Sequence, residues 1–130
     1  MSDQRIKFET AKLAKEKGFN ITQRYGMIAS LYDKDGNHTY YANYGLMSSG
    51  LNDGYISAPT QAALQKWLRE VHNINVWVEH GVKNTRGITH DVVISGRGCL
   101  RGGFKEYEDA MEFGLVEGLN LINIDNDVVG

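Results

Sequence analysis

The chain has 130 residues, 42% of them hydrophobic and 23% charged, with a single proline. That balance excludes a disordered chain and supplies enough apolar surface for a single domain over residues 1–130 with its own core. A formal net charge of −2 excludes the strong basic field that drives nonspecific nucleic-acid or membrane binding, so any anion site must be local.

The N-terminal stretch MSDQRIKFETAKLAKEK is charged and lacks the apolar core of a secretory signal, and no apolar run reaches the length of a membrane span. The expectation is a protein of the host cell cytosol, cytoplasmic and without a membrane partner. Residues 8–17 carry Phe8, Ala11, Leu13 and Ala14 at roughly helical spacing, and Gly18 is placed to end the helix. ITQRYGMIASLYDKDGNHTYYANYG follows as a hairpin. Asp35-Gly36 reads as a two-residue turn, which pairs Leu31 with Tyr40, Ala29 with Ala42 and Met27 with Tyr44. Tyr32 and Tyr41 then fall on the opposite face.

Residues 45–56 have no periodicity and read as a long loop. A second helix is expected over 58–72, with Pro59 in its first turn and Ala63, Leu64, Trp67, Leu68 and Val71 as its apolar stripe. A second hairpin turns around Val82–Arg86. SGRGCLRGG, residues 95–103, reads as a glycine-rich loop. The last helix runs from Glu106 to Ile122, and 123–130 is a frayed tail. The class is α+β in the order α-ββ-α-ββ-α. Short connections favour one four-stranded antiparallel sheet with the helices mainly on one face. The other face is left partly open or covered by a second subunit, so a homo-oligomer is allowed.

The run SAPTQAALQKWLREVHNINVWVE, residues 57–79, together with YEDAMEFGLVEGLNLI, residues 107–122, resembles a group of small uncharacterised proteins of phages and gut Bacteroidota. That resemblance implies an origin on a mobile element and carries no activity with it. GCLRGGFKEYEDAMEFGL, residues 98–115, locally resembles HicB-type antitoxins.

Three groups of residues have the chemistry to do something. In the glycine-rich loop, Arg97 and Arg101 offer bidentate donors to a phosphate, while Gly98 and Gly102 let backbone approach it. The loop lacks the spacing of a Walker A or a dinucleotide fingerprint, and Glu106, Glu108 and Asp109 oppose an anion on the following helix. The bland alternative is a connector with solvated arginines. Tyr32 and Tyr41 offer ring faces for a nucleobase, or else simply pack a strand. His80 and His90 share strand parity with the apolar residues, whereas Glu79 and Asp91 point the other way, so neither adjacent pair shares a face. No metal-ligand spacing is present, and a hydrogen-bonded histidine is the expectation for both. Cys99 lies near two arginines, which lower a thiol pKa, but no base is assigned to it.

The leading expectation is a non-enzymatic phage-type binding protein for a small anionic, nucleotide-like molecule, such as a host defence signal. It would use Arg97, Gly98, Arg101, Gly102, Tyr32 and Tyr41, with no metal, cofactor or catalytic residue. The alternatives are a module that binds a host protein, antitoxin-like, and a metal-independent phosphodiesterase using His80 or His90.

Overall fold

A computed structural model describes residues 4–19, 24–25, 28–41, 55–82 and 88–122, with backbone alone at 24–25, 28–29, 41, 81–82, 88 and 99. Met27, Ala42, Tyr44, most of the 45–56 loop, the 83–87 turn and the 123–130 tail lie outside the described residues. The chain forms two units, one of Arg5–Thr60 and one of Gln61–Gly130 with the first four residues.

In the first unit, helix α1 spans Phe8–Glu16 and buries Thr10, Ala11 and Ala14. Its end is set where expected. Gly18 takes φ +100°, and the Phe19 N–H turns back to the Ala14 carbonyl at 2.9 Å, which closes the last turn.

Strands β1 (Arg24–Tyr25), β2 (Ile28–Tyr32), β3 (His38–Tyr41) and β4 (Ile56–Ser57) form an antiparallel sheet around β2. β3 holds one edge of β2, while β1 and β4 pair with successive parts of the other. The expected hairpin register is corrected by one residue: Leu31 pairs with Thr39 and Ser30 with Tyr40. The turn is longer than Asp35-Gly36. Asp33 Oδ1 accepts the N–H groups of Asp35 and Asn37, both at 2.9 Å, and Gly36 alone takes a positive φ there, +87°. A two-residue type I′ turn needs two such residues, whereas a three-residue loop needs one. A slip of one residue exchanges faces, so Tyr40 lies beside Ser30, Tyr32 and His38 instead of beside Leu31.

The second unit begins with helix α2 (Gln61–His72), then strands β5 (Val76–Val82), β6 (Ile88–Ile94) and β7 (Gly98–Phe104), and helix α3 (Tyr107–Asn120). The class is α+β, as expected. The single four-stranded sheet is not: β5-β6-β7 is a separate three-stranded antiparallel sheet. Within the first unit both edges of β2 are paired, and in the second the free edge of β6 is taken by Gly98–Phe104, so most of the glycine-rich segment is a strand and not a loop. Bulges between His90 and Val93 let β7 follow β6.

Helix α3 lies across β5 and β6, with α2 beside it. Ala110, Met111, Leu115 and Leu119 are buried on its inner stripe, with Leu64 and Leu68 from α2 and Val76, Val92 and Ile94 from the sheet. Gly114 sets how close α3 comes. A Cβ there would lie 2.7 Å from Val76 Cγ1 and 2.8 Å from Val92 Cγ1. The helices are tied by Gln61, whose Nε2 donates to Glu112 Oε1 and to the Glu108 carbonyl, both at 2.9 Å. Among the described residues, no helix is long and apolar enough to cross a membrane.

Candidate functional site

The pairing of Val76 with Ile94 puts the start of β5 beside the end of β6. The connection after α2, residues 73–75, is thereby brought against the turn Ser95–Arg97, and the Ser95 N–H donates to the Asn75 carbonyl at 2.9 Å. Asn73 leaves the helix with φ +56° and Gly96 turns with φ +82°. Asn is among the residues that tolerate this left-handed region best. Between these two turns and the end of α3 lies a cleft of about 370 Å³, lined by His72, Asn73, Ile74, Ile94, Ser95, Arg97, Leu121 and Ile122.

The lining has two characters. Ile74, Ile94, Leu121 and Ile122 contribute the smaller, apolar part, Ile94 and Ile122 being buried, and the exposed lining is mostly polar, with His72, Asn73, Ser95 and Arg97 among its residues. Arg97 brings a fixed positive charge. The C-terminal ends of α2 and α3 also close on this cleft, and helix carbonyl ends carry partial negative charge. The electrostatics are therefore mixed, suited to a molecule with an anionic group for the guanidinium and N–H or O–H donors for the carbonyls.

The residues singled out in the sequence do not gather at one place. Arg97 lines the cleft, and Gly98 follows it with φ +73° and open space where a Cβ would be. Arg101 is not among the cleft residues. Its guanidinium lies 5.0 Å from the Phe104 ring centre and 5.4 Å from that of Phe113, a cation–π arrangement that holds β7 against α3. The close approach at Gly102 is to Asp91, not to open space. A Cβ there would lie 2.5 Å from Asp91 Oδ1, and the same oxygen accepts the Gly103 N–H at 3.0 Å. That carboxylate disfavours an anion beside Gly102.

Tyr32 is buried, and its hydroxyl donates to the Ile6 carbonyl. Phe8 and His38 meet it edge-on, with ring centres 5.5 and 5.9 Å away, so Tyr32 serves the packing of its unit. The side chains of Tyr41 and Cys99 lie outside the described residues. The sequence reading missed His72, Asn73 and Ser95 at the cleft. Its signal was the strand pairing itself, which carries the helix exit to the SGRG turn.

Among the described residues of the first unit, Ser30 and His38 form a further polar pair. Ser30 Oγ donates to the Ala58 carbonyl at 2.9 Å and lies 2.9 Å from His38 Nε2. With its one proton committed to Ala58, Ser30 accepts from the Nε2–H of His38. A serine nucleophile needs the opposite direction, so this is not a catalytic pair. Among the described residues, no group of three or more His, Cys, Asp or Glu is placed to hold a metal ion. Comparisons with protein-family models, curated proteins and solved structures found no match.

Proposed function

We propose that the protein is a non-enzymatic binding module for a small anionic molecule, held in the cleft between α2, the Ser95–Arg97 turn and the end of α3. The observation that carries this reading is the exposed Arg97 on an open cleft of about 370 Å³, a size in the range of small-molecule sites. Arg97 together with the carbonyl ends of α2 and α3 at the same cleft favours a ligand with both a phosphate or carboxylate and hydrogen-bond donors. A nucleotide has both. The resemblance to phage proteins makes a host signalling nucleotide the first class to test, in which case the protein acts by sequestration.

Binding then rests on Arg97 and not on Arg101. Replacing Arg97 with Ala removes a charged hydrogen bond and weakens binding by about 1–3 kcal/mol. Arg101→Ala leaves affinity for the same ligand unchanged. Calorimetric titration of the purified chain with a nucleotide panel measures both. The reading is contradicted if no nucleotide binds, or if a bound one is insensitive to Arg97→Ala.

A protein partner is the second reading, favoured by strand β7. It stands at the edge of its sheet with Leu100 exposed, and such an edge accepts an added strand. Stoichiometric recovery of one host protein, lost when Leu100 is replaced by Lys, distinguishes this reading from the first.

A further inference from the structure

The register of β5 and β6 sets His80 directly opposite His90. Both side chains lie on the face that carries Val76 and Val92 and meets α3. Their ring centres are 5.0 Å apart with planes inclined by 64°. Tyr107, the first residue of α3, closes the third side with its ring 6.1 Å from His90. His90 Nδ1 is enclosed yet has no hydrogen-bond partner among the described residues. Buried polar nitrogens are nearly always satisfied, and one left bare costs free energy. Glu79 and Asp91 pair on the opposite face, and Asp91 is occupied by the Gly103 N–H, so neither carboxylate serves these imidazoles.

We propose that His80 and His90 form a two-imidazole site for a divalent transition metal ion. The geometry fits. With bonds of about 2.0–2.1 Å and a tetrahedral angle at the ion, two imidazoles have ring centres about 5 Å apart. His80 is exposed, which leaves it free to adjust its ring and gives the ion a route from solvent. Ligation through Nδ1 gives the enclosed nitrogen of His90 the partner it lacks. Imidazole donors select Zn²⁺, Cu²⁺ or Ni²⁺ over Mg²⁺ and Ca²⁺. Two protein ligands leave the remaining positions to water or to an external donor, so the site takes its ion reversibly. It is separate from the cleft: four residue steps along β5, about 13 Å at strand rise, separate His80 from Val76, the strand partner of the cleft residue Ile94.

The test uses the full chain, titrated with Zn²⁺ while NMR follows the imidazole resonances of all four histidines. His80 and His90 shift together, at lower Zn²⁺ than His38 and His72. His80→Ala, at an exposed position, weakens this binding at least tenfold, the loss that even outer partners of metal ligands produce. Cu²⁺ bound at one equivalent shows two nitrogen donors by electron paramagnetic resonance in the wild type, and one in His80→Ala. The proposal is overturned if His80 and His90 respond no earlier than the other two histidines. It is equally overturned if His80→Ala binds Zn²⁺ with wild-type affinity while its circular dichroism is unchanged.

Discussion

Gly114 illustrates how a single residue fixes both packing and the place of a site. A glycine in mid-helix costs about 1 kcal/mol relative to alanine, yet here a methyl group would press on two buried valines at 2.7 and 2.8 Å. Overpacking of that kind costs about 1–3 kcal/mol. Gly114→Ala therefore destabilises the chain by up to about 2 kcal/mol, despite its better helix propensity. Thermal or urea denaturation reads this directly, and a stabilised variant would contradict the close contact. The glycines of 96–103 divide in the same way. Gly98 has open space around it, whereas a side chain at Gly102 would have to displace the Asp91 carboxylate. Both carry the same letter in the sequence, and only the partner strand tells them apart.

Elements with a strong local cause were legible in the sequence, and elements decided by a partner were not. The C-terminal end of α1 and the stripe of α3 follow from Gly18 and from the spacing of Ala110, Met111, Leu115 and Leu119. The first hairpin was read one residue out of register, because the Asp33 carboxylate gathers two backbone N–H groups and lengthens the turn. Those bonds lower the Asp33 pKa below 3.8, chiefly through Asn37. The sign follows: the carboxylate's contribution to stability is present above that ordinary value and lost as pH falls through the lowered one. Asp33→Asn loses this acid-side dependence, which denaturation midpoints below pH about 5 would show.

His38 acts on the neighbouring pH range. Burial, reinforced by the charge of Arg5, holds its pKa below the ordinary 6.5. The folded unit favours the neutral ring, so its contribution is present above 6.5 and is lost as pH falls through the lowered pKa. Unfolding midpoints measured from pH about 8 to 5 should fall on the acid side, and His38→Gln should remove that fall. An unchanged profile in the variant would mean that His38 does not titrate with folding.

For the whole molecule, the α+β class was legible while the strand and sheet counts were not: four strands in one sheet were expected, and the described residues form seven strands in two sheets. Hairpins announce their own pairing, but nothing local says whether two hairpins share a sheet. That depends on pairings distant in sequence, and here Ile56–Ser57 adds to β2 while Gly98–Phe104 adds to β6. The candidate site was legible only in part for the same reason. Arg97 was visible as a charge among glycines, but its cleft partners His72 and Asn73 are more than twenty residues away and arrive through the Val76–Ile94 pairing. Arg101, four residues on in the same run, is turned to Phe104 and Phe113 instead.

The central claim is that Arg97, at the mouth of that cleft, binds a small anion by itself. Calorimetry of the wild type, Arg97→Ala and Arg101→Ala against one nucleotide panel tests it most directly. The account predicts a ligand whose affinity falls about 5- to 150-fold in Arg97→Ala, the equivalent of about 1–3 kcal/mol, and holds in Arg101→Ala. Equal losses in both variants, or no binding in the wild type, would contradict it.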